Sequence, residues 1–482
     1  MVEANRRRRA LAAAILIAAA FALRFPSFGG PYIHGDEGFY LFVGDRLLHG
    51  ELPYVDIWDR KPIGLFLIYA GIRLLGGEGI VQYQLVAAAF AAAGALVVAG
   101  LAGHRAGWRG AVAAGFVYLA FLQPFGGGGG GQAQVFFNPL VAGAALLTLK
   151  AWEQGDAASV LRFGMGAMAL CGLALQIKYS VVVEGCLFGL VLTWLAWARG
   201  GIGKAALWAA LFSLIALAPT LCALAAYAVA GHAEAFWFAN FTSILRRAPS
   251  AAIDMPHRLA AIGIPLVPLA AAAAAGLAIG RSSRAPAERL TLAWALAAAL
   301  GIAVMGTFYD NYALTVIAPL AVAAAALFER RWLGPAAAAL AIVWALVAAG
   351  WPGPPVARTR SEMAGLTALT RSHLNGGCLW LVNAPAILQY ETGACAPSRF
   401  VFPYQLSLAV ETDALGVDPA AETRRILATR PTVIVAGEIS ASLRNPAVYA
   451  LVQAALARDY WLVGTLPLRG GTYRVYALNP PR

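Results

Sequence analysis

A series of long apolar segments constrains this chain more than any other feature, because such segments match the roughly 30 Å of hydrocarbon in a bilayer. They fall at 10–26, 81–103, 110–124, 138–151, 161–177, 181–198, 205–230, 259–280, 290–306, 312–328 and 334–350, with ends set to within about four residues. Backbone in lipid must satisfy its own polar groups, which makes these segments helices. Composition agrees: 60% of the 482 residues are hydrophobic and 12% are charged, against about 25% charged in soluble domains. The expected fold is a polytopic α-helical membrane protein with about 11 transmembrane helices.

The net charge of +12 would suggest nucleic acid on a soluble domain. Here the basic residues gather at the ends of apolar segments, beginning with Arg6 to Arg9, so the charge reports orientation and no nucleic-acid partner. With the N-terminus in the cytoplasm, alternation puts 104–109, 150–162, 199–204, 281–289 and 329–333 on the cytoplasmic side. Each holds at least two Lys or Arg, as the positive-inside rule requires. Ala20, Phe21 and Ala22 offer a cleavage-like spacing, but repeated spanning afterwards favours a retained signal anchor.

Residues 62–77, PIGLFLIYAGIRLLGG, are apolar yet short, open with Pro62 and contain Arg73. If they crossed, every later basic loop would lie outside, so they are expected as an interfacial helix. The outside loops are then 27–80, 125–137, 178–180, 231–258, 307–311 and everything beyond about 351. The tail has no spanning stretch. LWLVN (379–383), TVIVAG (432–437), YWLVGTLPL and TYRVYAL read as strands, and 420–429 and 446–458 as helices. The chain is thus expected to divide into a transmembrane domain, 1–350, with its first outside loop at 27–80, and a small extracytoplasmic α/β domain, 351–482.

Cys171, Cys186 and Cys222 fall in apolar segments and read as packing residues, whereas Cys378 and Cys395 lie in the outside region and are expected to pair there. No CxxC or His/Cys metal spacing occurs. Gly126 to Gly131 lack a following GK[ST], so they are a flexible outside loop and not a phosphate cradle.

Chemistry concentrates in the first outside loop, in HGDEGFY (34–40) and GELPYVDIWDRKP (50–62). It carries Asp36, Glu37, Asp45, Glu51, Asp56, Asp59 and Glu78 among Arg46, Arg60, Lys61 and Arg73. Long ordered loops are often functional. Asp36 and Glu37 offer carboxylates near the membrane surface. Lys61, just before Pro62, and Lys178 in QIKYS offer ammonium groups at headgroup level, although a lysine at a helix end also snorkels for purely structural reasons. Moving a sugar off a lipid phosphate needs a base for the acceptor hydroxyl and cations for the departing phosphate. Glu184 stands inside an apolar run, at a cost of about 2.5–3.5 kcal/mol on insertion scales, one turn from Lys178 with which it can pair. His232, His257, Trp237 and Trp351 read as interface anchors.

These residues together resemble the GT-C glycosyltransferases, in the branch of protein O-mannosyltransferases, lipid A aminoarabinose transferases and rhizobial galacturonosyltransferase-like proteins. The likeness rests on DE after the first helix, WDRKP, KYS and FYDNY in this order, over roughly 10–350. It implies Asp36 as catalytic base with Glu37 in support, and Lys61 and Lys178 as lipid-phosphate contacts. Asp56, Asp59 and Arg60 beside Lys61, and Tyr179 beside Lys178, complete the substrate-binding set. Tyr309, Asn311 and Tyr312 would line the same cavity from a late loop. The resemblance also implies an interfacial helix at 62–77 and a bacterial inner or plasma membrane location with the active site outside. The implied partners are a polyprenyl-phosphate-sugar donor, a lipid, glycan or protein acceptor, and membrane lipid. No cofactor is implied, and nothing in the residues calls for a divalent metal.

Two departures bear on specificity. Aminoarabinose transferases place an acid directly before the lysine of the K-P motif, whereas here Arg60 intervenes and Asp59 is one place earlier. They have Asp-Pro in the second outside loop where this chain has Asn138-Pro139. Both argue against aminoarabinose as donor and against a metal role at those places. Two other classes compete. A flippase or transporter of lipid-linked sugar predicts internal repeats and midplane charges, which this chain lacks. An oligosaccharide ligase or polymerase would use a late outside loop with arginines, such as 231–258 with Arg246 and Arg247.

Overall fold

The computed structural model describes residues 2–249, 254–280 and 285–480. Arg281 and Arg284 of the expected cytoplasmic loop 281–289, and residues 250–253 of the loop 231–258, lie outside the described residues. The chain forms two compact units. One comprises Met1–Pro26, Gln84–Ala223 and Pro256–Gly353; the other comprises Ser27–Tyr83, Leu224–Met255 and Pro354–Arg482.

Helices of the first unit account for the apolar segments. Among the described residues, eight candidate spans meet the length and hydropathy of a bilayer crossing, and the shorter apolar helices Trp108–Phe121 and Leu333–Ala348 add to them. One of the eight, Tyr179–Val229, contains the helix Val182–Val229, which loses helical backbone angles at Gly200 and Gly201. It is therefore two helices, as the segments 181–198 and 205–230 anticipate. The protein is a polytopic α-helical membrane protein. Leu314–Phe328 is apolar on every side, and all of its residues except Leu320 are buried. It packs with Trp108–Phe121, Ala133–Gln154, Ala285–Met305 and Leu333–Ala348. Its alanine run, Ala323 to Ala326, presents no bulk, which lets neighbouring backbones come close.

Two expectations change here. Gly126–Gly131 is not a flexible loop: most of it is buried. The buried Arg24 donates to the carbonyls of Gly128 at 2.6 Å and Gly130 at 2.9 Å, and the Gly126 amide donates to Asp310 at 2.9 Å. A guanidinium buried at a helix end must fill its donors, and closely spaced glycine carbonyls supply the acceptors. Of the three free cysteines only Cys171 is buried, while Cys186 and Cys222 are exposed on their helices and so do not pack. Glu184 takes its hydrogen bond from Trp294 Nε1 at 2.6 Å.

In the second unit the first loop is itself helical. Gly35–Leu48 and Ile63–Arg73 pack against each other. The latter has 11 residues, about 16 Å at 1.5 Å per residue, too short to cross a bilayer. Gly44 is what permits their approach: a Cβ there would lie 2.7 Å from the backbone of Tyr69 and Ala70.

The strands fall where alternation places them: β1 (Leu379–Val382), β2 (Val433–Gly437), β3 (Tyr460–Leu468) and β4 (Gly471–Leu478). Their order is β1-β2-β4-β3, with β1 and β2 parallel and the rest antiparallel. Helices Pro419–Ala428 and Pro446–Asp459 begin with proline after the caps Asp418 and Asn445, the arrangement that missing amide hydrogens favour. Cys378 and Cys395 form a disulfide, with Cα atoms 4.5 Å apart. The core of this sheet includes Trp58 from the first loop, packed with Trp380, Phe400, Leu415 and Ile434.

The close approach at Gly44 makes a sharp prediction. Gly44→Ala gains helix propensity of about 1 kcal/mol but forces a methyl into backbone, at about 1–3 kcal/mol or more. At Gly71, on the partner helix, a Cβ meets nothing within 4 Å. Thermal unfolding in detergent should show Gly44→Ala destabilised and Gly71→Ala unchanged or more stable.

Candidate active site

Asp36 and Glu37 open the helix Gly35–Leu48, whose cap is His34; its Nδ1 accepts from the Asp36 amide at 3.4 Å. Negative charge in a first turn is favoured by the helix dipole. One residue apart on a helix, the two side chains diverge. Asp36 Oδ2 accepts from the Tyr40 hydroxyl at 3.1 Å and keeps 19% of its side chain exposed. Glu37 is only 1% exposed, and Tyr83 donates to its Oε2 at 3.2 Å. Asp36 is open to solvent, whereas Glu37 is buried. Burial, then the charges of Asp36 and Asp59, hold the Tyr40 hydroxyl well above its ordinary pKa, so it remains a donor to Asp36.

Asp59 is almost fully buried and turns the chain around itself. Its Oδ1 accepts from the Arg60 amide at 2.6 Å and the Lys61 amide at 2.8 Å, and its Oδ2 lies 3.4 Å from Lys61 Nζ. The lysine head sits over the rings of Tyr40, 5.1 Å from its centroid, and Phe402, at 5.4 Å. Burial pulls the Lys61 ammonium toward neutrality, but the opposing pull of Asp59 and Asp36 prevails and its pKa is raised. It is charged, and 26% of the side chain remains exposed. The acid missing from the place before the lysine is thus supplied one residue earlier.

Arg60 turns elsewhere. It pairs with Glu411, which also pairs with Arg247 at 2.8 Å. Asp56 is exposed and caps a turn by accepting from the Leu52 amide at 2.7 Å. Tyr54, at φ 72°, holds a conformation that costs a non-glycine residue about 1–3 kcal/mol. Its ring packs on Tyr227 and Phe236, and its hydroxyl donates to the Lys61 carbonyl at 2.8 Å.

Lys178, Tyr179, Tyr309, Asn311 and Tyr312 belong to the first unit. Lys178 lies in extended backbone between the helix Ala157–Leu175 and the short turn Tyr179–Val181. Its Nζ is 4.1 Å from the centroid of the Tyr312 ring. A small cavity there is lined by Lys178, Ser180, Glu184, Tyr312 and Thr315. Tyr309 stacks edge-on against Tyr312, beneath the Arg258 guanidinium. Asn311 is buried, and its carbonyl accepts from Gln134 at 3.0 Å. Asn138 donates to the Leu314 carbonyl at 2.9 Å, a structural task. Among the described residues no group of three His, Cys, Asp or Glu could hold a metal ion.

Sequence reading did not single out Tyr40, Tyr83, Phe402 or Glu411. Only Tyr40 carried a local signal, four residues after Asp36 on a helix. Glu411 lies 351 residues from Arg60, and no local pattern announces such a pair.

No family model matches this chain, and no curated protein matches it in sequence. Solved structures do match. The fold is similar to ArnT from Cupriavidus metallidurans in the apo state, with a TM-score of 0.64 and 16% identity, over 96% of this chain and 97% of that one. The same protein bound to undecaprenyl phosphate gives a TM-score of 0.65 at 15% identity, with equal coverage. An Archaeoglobus fulgidus oligosaccharyltransferase tethered with an acceptor peptide gives 0.54 at 12% identity, over 98% of this chain and 74% of that one. The chain shares the fold of these two proteins, in keeping with the fold that the resemblance of its motifs implied.

The Glu411 cluster predicts a pH response. Burial raises this carboxyl's pKa, but Arg60 and Arg247 outweigh it and hold the pKa below the usual glutamate range. The stabilisation is complete above the unfolded value of about 4.3 and is lost as pH falls through the lower folded value. Glu411→Gln should therefore melt lower than wild type at neutral pH, with the gap closing as pH drops below about 4.3. Glu411→Ala, which leaves two half-buried guanidinium groups facing each other without their carboxylate, should cost about 3 kcal/mol, the low end for a broken buried pair.

Proposed function

We propose that this chain is a membrane glycosyltransferase that moves a hexosyl or pentosyl group from a polyprenyl-phosphate carrier to an acceptor hydroxyl on a lipid, glycan or protein. The observation that carries the reading is the reachable Asp36 carboxylate beside an ammonium group, Lys61, which Asp59 and two aromatic rings hold in place. The acceptor oxygen attacks the anomeric carbon as its proton passes to Asp36, and the sugar–phosphate bond breaks with its electron pair retained by the phosphate. Configuration inverts. Phosphate leaves without a proton at neutral pH, so a base and a cation suffice.

Lys61 is the donor-phosphate contact, and Lys178 with Tyr179, Tyr309, Asn311 and Tyr312 forms a second substrate-binding group. The buried Glu37 supports the helix that carries Asp36. Arg60 and Asp56 bind substrate only indirectly, through the loop they brace. Likeness of fold to a protein solved with undecaprenyl phosphate, and to an oligosaccharyltransferase solved with an inhibitory peptide and a dolichol-phosphate, supports a lipid-phosphate donor and a separate acceptor. We assign residues 1–350 to the transmembrane domain and 351–482 to an extracytoplasmic α/β domain. The Cys378–Cys395 disulfide favours an oxidising compartment for the latter, and Arg6 to Arg9 favour a cytoplasmic N-terminus.

Activity is read as transfer from purified polyprenyl-phosphate sugar in reconstituted membranes. Asp36→Asn should insert and fold but lose about 10²-fold or more in rate, the scale of a lost general base; Glu37→Gln should lose less. Lys61→Ala should weaken donor binding or turnover. Near-normal transfer by Asp36→Asn would remove the catalytic assignment.

Sidedness has its own test. Single cysteines at Gly50 and Gly79, flanking the helix Ile63–Arg73, should both react with a membrane-impermeant thiol reagent added from outside. Protection of the second alone would mean that this segment crosses, overturning the outside placement of the later loops.

A further inference from the structure

Next to Asp36 the second unit presents more aromatic surface than its core requires. Phe402 and Tyr404 stand with ring centroids 5.5 Å apart, and Phe402 is also 5.1 Å from the buried Phe39. Tyr404 and the Tyr32 hydroxyl both border Gly35, the residue before Asp36. Tyr473 of β4 lies behind, hydrogen-bonded to Tyr32. Arg469, at the β3–β4 turn, donates at 2.9 Å to the carbonyls of Tyr32 and Ile33 and so fixes the segment that leads into the helix. Phe39 and Tyr40 are fully buried, but Tyr32, Phe402 and Tyr404 are each partly exposed. The aromatic layer therefore runs from the interior out to an accessible edge.

Its chemistry is mixed in a particular way. A wall built only for packing would use phenylalanine and leucine. Here the outer rings carry hydroxyl groups, and the Asp36 carboxylate and Lys61 ammonium stand at one end. Burial, then Tyr473 and Asp36, push the Tyr404 hydroxyl up to about 12, so it is a donor at working pH. Flat apolar faces edged with donors and acceptors match a sugar ring, whose C–H faces are apolar and whose rim is hydroxylated.

We propose that Phe402, Tyr404 and Tyr32 form the subsite for the sugar ring of the donor, stacking on it while Lys61 holds its phosphate. Distance sets the order. Lys61 Nζ is 5.4 Å from the Phe402 centroid, and Tyr404 is one further ring step away. A sugar joined directly to a phosphate at Lys61 reaches that far and no farther. The C-terminal region thereby selects the sugar, and the first loop supplies the phosphate contact and the base. This subsite rests on the glycosyltransferase reading above.

The test compares binding of undecaprenyl phosphate with that of the same carrier bearing glucose, galactose or arabinose, to protein in lipid nanodiscs. Wild type should bind at least one sugar-bearing carrier more tightly than the bare one. Tyr404→Ala and Tyr32→Ala should lose about tenfold for that carrier with little change for bare undecaprenyl phosphate, and Tyr404→Phe should retain most of the stacking. Lys61→Ala should weaken both. Equal losses for bare and sugar-bearing carriers in the aromatic variants, or no preference for any sugar in wild type, would overturn the subsite and leave the glycosyltransferase reading standing. Failure of wild type to bind any carrier would overturn the glycosyltransferase reading itself.

Discussion

The arrangement of the first loop depends on keeping the Lys61 ammonium charged where water is scarce. An ammonium loses hydration as it is covered, and without compensation it would give up its proton. Asp59 prevents this by contacting both the lysine head and the two amides that set its direction. The rings of Tyr40 and Phe402 add their negative faces, an interaction that strengthens as the cation is desolvated. Asp59 is buried by the same loop, so neither charge is tolerable without the other.

Such a pair needs a rigid frame, and the frame is borrowed from residues far along the chain. The Trp58 amide donates to the Arg399 carbonyl at 2.9 Å, its carbonyl accepts from Gln405 at 2.8 Å, and its ring packs among the side chains of the sheet domain. Arg60 is drawn off to Glu411 and Arg247. On either side of Asp59, then, one residue is anchored in an apolar core and the next in a buried ion cluster. A buried ion cluster is a doubtful source of net stability. Its value here is geometric, since it keeps a second cation from competing with Lys61 for Asp59.

What the sequence made legible follows the range of each interaction. Spanning helices and alternating strands are local patterns, and the strands at 379–382, 433–437, 460–468 and 471–478 stand where hydropathy alone puts them. The disulfide partners were also identifiable, being the two cysteines outside the apolar segments. The helix Gly35–Leu48 is not legible in the sequence, because its polar and apolar residues form no clear amphipathic face. Glycines 126–131 were misread because their role is to expose carbonyls to Arg24, and that requires a distant partner. The Arg60–Glu411–Arg247 cluster and the place of Phe402 beside Lys61 join residues hundreds of positions apart, beyond the reach of any local signal.

Asp36 and Glu37 show how little separates an accessible carboxylate from a buried one. They are adjacent, identical in charge and in the same helical turn. A step of about 100° around the helix sends one toward Tyr83 and complete burial, and leaves the other against Tyr40 with part of its surface open. A base must meet its substrate, so accessibility decides between them before acidity is considered. Gly38 helps set that rotation: a Cβ there would lie 2.7 Å from Ile387, so this face of the helix can seat closely only with glycine. The orientation of Asp36 is therefore fixed by a residue two places on that carries no functional group.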